Sequence, residues 1–484
     1  MFSKKTFMTN ENGVAVNNDK TSLKAKETGD VLLRDVYLHQ KLRAFNRERI
    51  PERVVHAKGA GAHGYFKVTK NMNKYCCAKF LSRVGKKTDI FARFSTVGGP
   101  SGSSDYDRDP RGFALKFYTE HGNYDIVGNN TPIFFIREAI KFPDFIHSQK
   151  KNPQSNCPDA NIFWDFISLN PETAHQVVIL FSDRGIPANH RQMHGFGSHT
   201  FKWYNSKGEY FWIKYHFKTN QGIDNITNAD LKNMADLNPD GATKDLFNAI
   251  KEKNYPSWTC YVQIMTQEEA DECDFDIFDI TKVWSQKDYP LQEFGVFTLN
   301  RNVEDYFCEV EQAAFSPANF VAGIAPSPDP LLQGRLFAYQ DAHLHRLGPN
   351  YIQIPINHPK NVEGVHNYSQ NGVHRHQSIH PVGVNYYPNS MAEISEDKTS
   401  THAIEPPHCI KERKFEVDDF SQAHDLYANV MTLKEQHNFQ ENVIEHLKGV
   451  TDNDILIRTV ELFYNIDHDL GKAIAKNFNI EVSF

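Results

Sequence analysis

With 484 residues, 40% of them apolar or aromatic (AVILMFWYC) and 23% charged, the chain has the composition of a folded protein able to bury a large core. A disordered tail, a collagen-like fibre and a disulfide scaffold are excluded. The 53 basic and 60 acidic side chains leave a net charge of −7, a mild excess that offers no footprint for nucleic acid or an anionic membrane.

From the N-terminus, MFSKKTFMTNENG is polar and lacks the apolar stretch of a secretory signal. No run approaches the roughly 18 apolar residues of a bilayer span. Residues 1–51 read as an N-terminal arm, with helical spacing over 31–46 (Leu33, Val36, Tyr37, Phe45) halted by Pro51. Period-two alternation then predicts strands: in Thr88–Val97, Ile90, Ala92, Phe94 and Thr96 share one face, while Phe91, Arg93, Ser95 and Val97 share the other. Similar runs follow at Phe113–Phe117, Glu209–Phe217 and Trp258–Met265, with helical inserts expected around 160–181 and 228–252. Residues 52–300 are therefore expected to form an antiparallel β-barrel. Residues 301–415, rich in Pro, Asn and Gly, read as a segment wrapping around something else, with a helical island near 330–347. Residues 416–484 return to a 3.6 period (Phe439, Val443, Leu447, then Leu456, Val460, Phe463) and predict a C-terminal helical domain. The fold class is α+β.

Seven cysteines, Cys76, Cys77, Cys157, Cys260, Cys273, Cys308 and Cys409, contain no C-x-x-C pair, so reduced thiols in a cytosol-like compartment are expected. The 35 phenylalanines could line an apolar pocket around a flat ligand; the 23 histidines suit metal or proton chemistry without proving it.

Four segments could carry chemistry. In RLFAYQDAHLHR, Arg335, Tyr339 and His343 fall on one helical stripe, with Arg346 beyond. A cation one turn from a phenol favours its anionic form, a hard oxygen ligand suited to ferric iron; a solvated basic stripe is the plainer alternative. In RVVHAKGAGAHG, His56 precedes Gly59, Gly61 and Gly64, which permit close approach of a ligand or another strand; His56 could equally be a core histidine. In RFSTV, a buried Arg93 on an inward strand face needs an anion, from an acidic residue or a ligand carboxylate. In DIVGNNTPIFFIR, Asn129 and Asn130 could simply form a turn before an aromatic strand.

Together these stretches, with DPRGFALKFYTE, GNNTPIFF, KFPDFIH, FSDRGIP, HGFGSHTF, FDITKVW, LNRN and EQAAFSPAN in the same order, resemble the monofunctional haem catalases of the small-subunit type, over most of residues 20–360 and more loosely beyond. The resemblance implies dismutation of hydrogen peroxide to water and dioxygen. It implies Tyr339 as the axial ligand of haem iron, held as phenolate by Arg335, with His56 and Asn129 as the distal catalytic pair and Ser95 bonded to His56. It further implies that Arg53, Arg93 and Arg346 meet the haem propionates and that Val55, Val97, Phe134, Phe142 and His343 belong to the haem pocket. Asp109 and Gln149 fall where the family's substrate channel runs. A site for NADPH falls on His175, Ser182, Arg184, His216, Lys218, Val283 and Trp284, whereas Ile179, His194 and Gln286 depart from that pattern. Haem b, a homotetramer with interlaced arms and a cytoplasmic location, with the peroxisome as the other compartment, complete the expectation. Two other readings are an organic-hydroperoxide enzyme on the same scaffold and a non-catalytic haem carrier. A narrow pocket disfavours the first, and a distal acid–base pair disfavours the second.

Overall fold

The computed structural model describes residues 6–233, 238–376, 383–398, 400, 405–408 and 415–481; Cys409 lies outside them. Among the described residues ten strands run in chain order: β1 (Gly59–Val68), β2 (Lys87–Ser95), β3 (Gly112–Thr119), β4 (Gly122–Asn129), β5 (Gly195–Phe196), β6 (Phe201–Tyr204), β7 (Tyr210–Thr219), β8 (Ser257–Met265), β9 (Gln292–Asn302) and β10 (Ile324–Pro326). β1 to β4 form an antiparallel meander. The sheet continues through β5, β7, β8 and β9, and β9 pairs back with β1. This closes an eight-stranded barrel and removes its free edges. β6 pairs with β7 beside β5, and β10 extends from β6.

Alternation fills the lumen. Ile90, Ala92 and Phe94 of β2 meet Phe113, Leu115, Phe117, Tyr124, Ile126, Phe217, Trp258 and Phe297 in one buried cluster. Phe91, on the opposite face, belongs to a separate cluster with Tyr118, Val310, Phe315 and Ile356. Arg93 shares the face of Phe91, so the expectation that it points inward is corrected: it is buried outside the lumen, because residues of the 301–357 stretch cover that face. The cover is pinned by Tyr118 Oη donating to Ile356 O (2.6 Å) and Asn123 Nδ2 donating to Asn357 O (2.8 Å). Gly64 marks where β1 and β9 crowd together: a Cβ there would lie 1.9 Å from Thr298 O, at a break in register.

The expected inserts are helices at Ala160–Leu169, Ala174–Phe181, Asn228–Asn233 and Gly241–Lys251. The helical island spans Pro330–Leu347. Asp329 caps its start by accepting from Leu332 N, Pro330 opens its first turn, and Gly348 (φ 88°) ends it. At the C-terminal end, helices Leu433–Leu447, Asn453–Ile466 and His468–Lys476 pack with Ala160–Leu169 and Ala174–Phe181 in a second apolar cluster that also holds Val97 and Phe134. A reciprocal Thr432–Glu435 cap and Asp452 and Asp467 start these helices.

The chain divides into two compact units, Met1–Glu52 and Arg53–Phe484. In the first, helix Val36–Phe45 is shorter than the expected 31–46 because Asp35 caps it, accepting from Leu38 N. Its Val36, Leu42 and Phe45 are exposed.

Candidate active site

β2, β3 and β4 carry the first group. Gly112 of β3 pairs with Ser95 on β2 and with Asn129 on β4, so the three positions form one row across the barrel wall. His56 precedes β1 in a left-handed conformation (φ 65°), a strained backbone for a residue other than glycine. Its N–H donates to Val97 O (3.0 Å), and its Nδ1 lies 2.9 Å from Ser95 Oγ. A Cβ on Gly112 would lie 2.3 Å from Ser95 Oγ and 2.7 Å from His56 Nδ1, so only glycine leaves room for the pair. Burial, followed by the Arg93 and Arg335 guanidiniums, pushes the His56 pKa down to about 3 and keeps the imidazole neutral. Asn130 N donates to Arg111 O and Asn130 Oδ1 accepts from Arg111 N, prolonging the β3–β4 alignment that positions Asn129. Val97 and Phe134 are buried, with Val55 and Phe142 against them; the Phe134 and Phe142 rings stack at 6.2 Å.

The Pro330–Leu347 helix carries the second group. Arg335 Nη2 donates to Tyr339 Oη (2.7 Å) and to Val127 O of β4 (2.8 Å), two residues before Asn129. The solvated-stripe alternative therefore fails, since Arg335 is held against the barrel. His343 is buried, bonded through Nε2 to Phe315 O (2.7 Å), with its pKa lowered to about 4 chiefly by burial.

The third group is cationic. Arg53 and Arg346 share one carboxylate, Glu311, which lies 3.7 Å from Arg53 Nη1 and 3.2 Å from Arg346 Nη1, while Arg93 Nη2 donates to Ala57 O (3.2 Å). Burial lowers the pKa of all three, and the arginines depress one another further in the case of Arg53 and Arg93. Arg53 Nη2 caps the carbonyls of Val310, Glu311 and Ala313, whereas Arg53 Nη1 and Arg93 Nε are buried without a hydrogen-bond partner among the described residues. Among the described residues one carboxylate, Glu311, faces these three buried cations, and about two further negative charges would balance them. A porphyrin with two propionates and iron ligated by a phenolate fits this donor set.

Asp109 accepts from the N–H groups of Val97 and Gly98, and burial raises its pKa to about 6. Gln149 ends helix Phe142–Gln149, its Nε2 on Ser148 Oγ (3.0 Å). Elsewhere, burial and Arg184 lower the Lys218 pKa to about 8, and burial with Lys218 and Arg184 lowers that of His194 to about 4. His216 Nε2 lies 2.9 Å from Gln263 Oε1, and His175 Nδ1 lies 3.0 Å from Thr281 O. Ser182 Oγ donates to Ile179 O and accepts from Arg184 N. Val283 pairs through both backbone groups with the Gln422 amide, and Trp284 O accepts from Gln263 Nε2.

Sequence reasoning missed His199 and Asp329. His199 is fully buried, its Nε2 2.8 Å from Arg335 Nη1 and its Nδ1 2.6 Å from Asp329 Oδ2. Asp329 is visible in the sequence only as a helix cap, and the 130-residue separation of the pair hides the contact. Among the described residues, no group of three or more His, Cys, Asp and Glu side chains is arranged to hold a bare metal ion.

Comparison with known proteins agrees with this chemistry. A family model described as catalase matches residues 9–393, and one described as catalase-related immune-responsive matches 412–478. A catalase of Methanosarcina barkeri is 53% identical, covering 97% of this chain and 93% of its own. The Mus musculus catalase is 48% identical over 98% of this chain and 90% of its own. The solved structure of catalase A from Saccharomyces cerevisiae superposes with a TM-score of 0.92 at 42% identity, covering 97% and 98% of the two chains. Likeness of this extent in sequence and fold, over a wall and helix that keep a phenol, an imidazole and a cluster of buried arginines, means that the chain belongs to the catalase family, haem oxidoreductases that decompose hydrogen peroxide.

Proposed function

We propose that Tyr339 would ligate the iron of a bound haem and that His56 and Asn129 would act on the peroxide there, in a reaction that converts two hydrogen peroxides to two waters and one dioxygen. The observation that carries this reading is a neutral His56 on the wall strand row of Ser95, Gly112 and Asn129, beside an Arg335 that grips the Tyr339 hydroxyl. Bound haem supplies the ferric iron on which peroxide is alternately reduced and oxidised. With Nδ1 turned to Ser95, His56 Nε2 is the nitrogen that takes a proton from one peroxide oxygen and returns it to the other, releasing water. Asn129 donates its amide N–H to orient the peroxide and to steady charge developing on it. Arg335 donates to the Tyr339 oxygen and so orients the atom that would meet the iron. Arg53, Arg93 and Arg346 bind the propionates, Val55, Val97, Phe134, Phe142 and His343 shape the pocket, and Asp109 with Gln149 line the approach. The aromatic pair at 6.2 Å narrows the pocket and favours hydrogen peroxide over bulky hydroperoxides.

The prosthetic group is haem b. NADPH binds at His175, Ser182, Arg184, His216, Lys218, Val283 and Trp284; the lowering of the Lys218 pKa by burial and by the neighbouring Arg184 is what a 2′-phosphate would relieve. The protein works as a cytoplasmic homotetramer, in which the 1–51 arm and the 301–415 wrapping segment serve assembly. The test is the ferric absorption spectrum followed by oxygen evolution on peroxide addition. H56A keeps its haem and loses about a hundredfold or more of its turnover; Y339F changes the Soret band. Substantial turnover in H56A, or an unchanged band in Y339F, refutes the assignment.

A further inference from the structure

Lys214 sits mid-strand on β7 and is 5% exposed. It makes no ion pair among the described residues. Instead its Nζ donates to Ser198 O (3.0 Å) and to Lys282 O (3.4 Å), 5.8 Å from the centroid of the Trp284 ring. Burial lowers its pKa to about 8, against the opposing pull of Asp329 and Asp279. A buried cation spent on two carbonyls is a costly way to satisfy backbone.

The carbonyl it holds is unusual. Ser198 has φ 63°, a left-handed backbone that a serine adopts at a cost. Two bonds secure it: Ser198 Oγ donates to Thr131 O (2.9 Å), two residues beyond Asn129, and Ser198 O accepts from Lys214. The next residue is His199, whose ring spans from Asp329 to Arg335, and Arg335 holds Tyr339. The turn at Ser198 decides where that imidazole points.

We propose that Lys214 is a positioning residue for the haem ligand: by holding Ser198 left-handed it aims His199 at Arg335, and through Arg335 it fixes the Tyr339 oxygen. This rests on the reading of Tyr339 as ligand. Removing the ammonium frees the Ser198 peptide to relax, and the imidazole then swings off Arg335. A glycine at 198 carries no steric cost at positive φ and keeps the turn without help.

The experiment compares ferric holoenzyme spectra and melting temperatures of K214M, S198G and K214M/S198G. K214M shifts the Soret and visible bands; S198G alone keeps them; the double variant returns at least halfway to the wild type. Wild-type bands in K214M overturn the proposal, even if its melting temperature falls, because Lys214 would then serve stability alone. Failure of S198G to restore the bands also overturns it. If K214M does not fold, S198V and S198G decide: valine, which resists positive φ, shifts the bands and glycine does not, and equal spectra overturn the proposal. Y339F run alongside separates the two readings. Unmoved bands there refute the ligand; moved bands there with unmoved bands in K214M refute Lys214 alone.

Discussion

Adding one methyl group at Gly112 should disable the site while leaving the fold standing. The Cβ of G112A would start 2.3 Å from Ser95 Oγ and 2.7 Å from His56 Nδ1, where ordinary contact begins at 3.4 Å. The hydroxyl must therefore retreat by about 1 Å and the imidazole by about 0.7 Å, since β3 is held on both sides by its pairing with β2 and β4 and cannot give way. Misplacing a catalytic group by about 1 Å costs on the order of a hundredfold in rate. His56 also has little freedom to adapt, because its own backbone is left-handed and tied to Val97 O. Oxygen evolution per haem, measured at an electrode with haem content read from the Soret band, should fall by about two orders of magnitude at near-normal occupancy. Wild-type turnover per haem in G112A would show that the His56–Ser95 geometry does not govern the rate. Loss of haem together with activity would show that the crowded row serves binding instead.

Other outcomes are open to measurement. Because His56 stays neutral down to about pH 3, oxygen evolution should show no histidine-like fall between pH 7 and pH 5; a loss centred near 6.5 would contradict the lowered pKa. Stability should behave differently. His175 and His216 are buried and neutral, with pKa values lowered to about 4 and about 3, below the unfolded value of 6.5. Their contribution is complete above pH 6.5 and is lost as pH falls, by about 2 kcal/mol apiece between pH 7 and pH 5. Urea midpoints of the nucleotide-free protein should drop over that range, and H175N/H216N should flatten the slope; an unchanged slope refutes the assignment. Replacing Arg184 and Lys218 by alanine should weaken NADPH about tenfold or more, through loss of charge-assisted bonds, while leaving NADH little changed. Equal losses for both nucleotides would argue against a 2′-phosphate site.

Periodicity by itself determined much of the architecture. Alternation in TDIFARFSTV, EYFWIKYHF and WTCYVQIM predicts strands because one face of each must be buried, and each run lies over an observed strand: β2, β7 or β8. The stripe of Arg335 and Tyr339 was legible because a helix places i and i+4 side by side, and Asp329 with Pro330 announces that helix. The glycine-rich β1 was less legible, since its residues are chosen for crowding against β2 and β9 rather than for a repeating pattern.

Tertiary structure decided the rest. Which face of β2 looks into the barrel depends on ring closure between β1 and β9, which no local pattern encodes, and so Arg93 proved to be buried outside the lumen. The bond from His199 to Asp329, the left-handed turn at Ser198 held by Lys214, and the steric need for Gly112 all join residues remote in the chain. A hydrogen bond or a clash depends on distances of a few tenths of an ångström, and those distances exist only once the barrel has closed and its cover is in place.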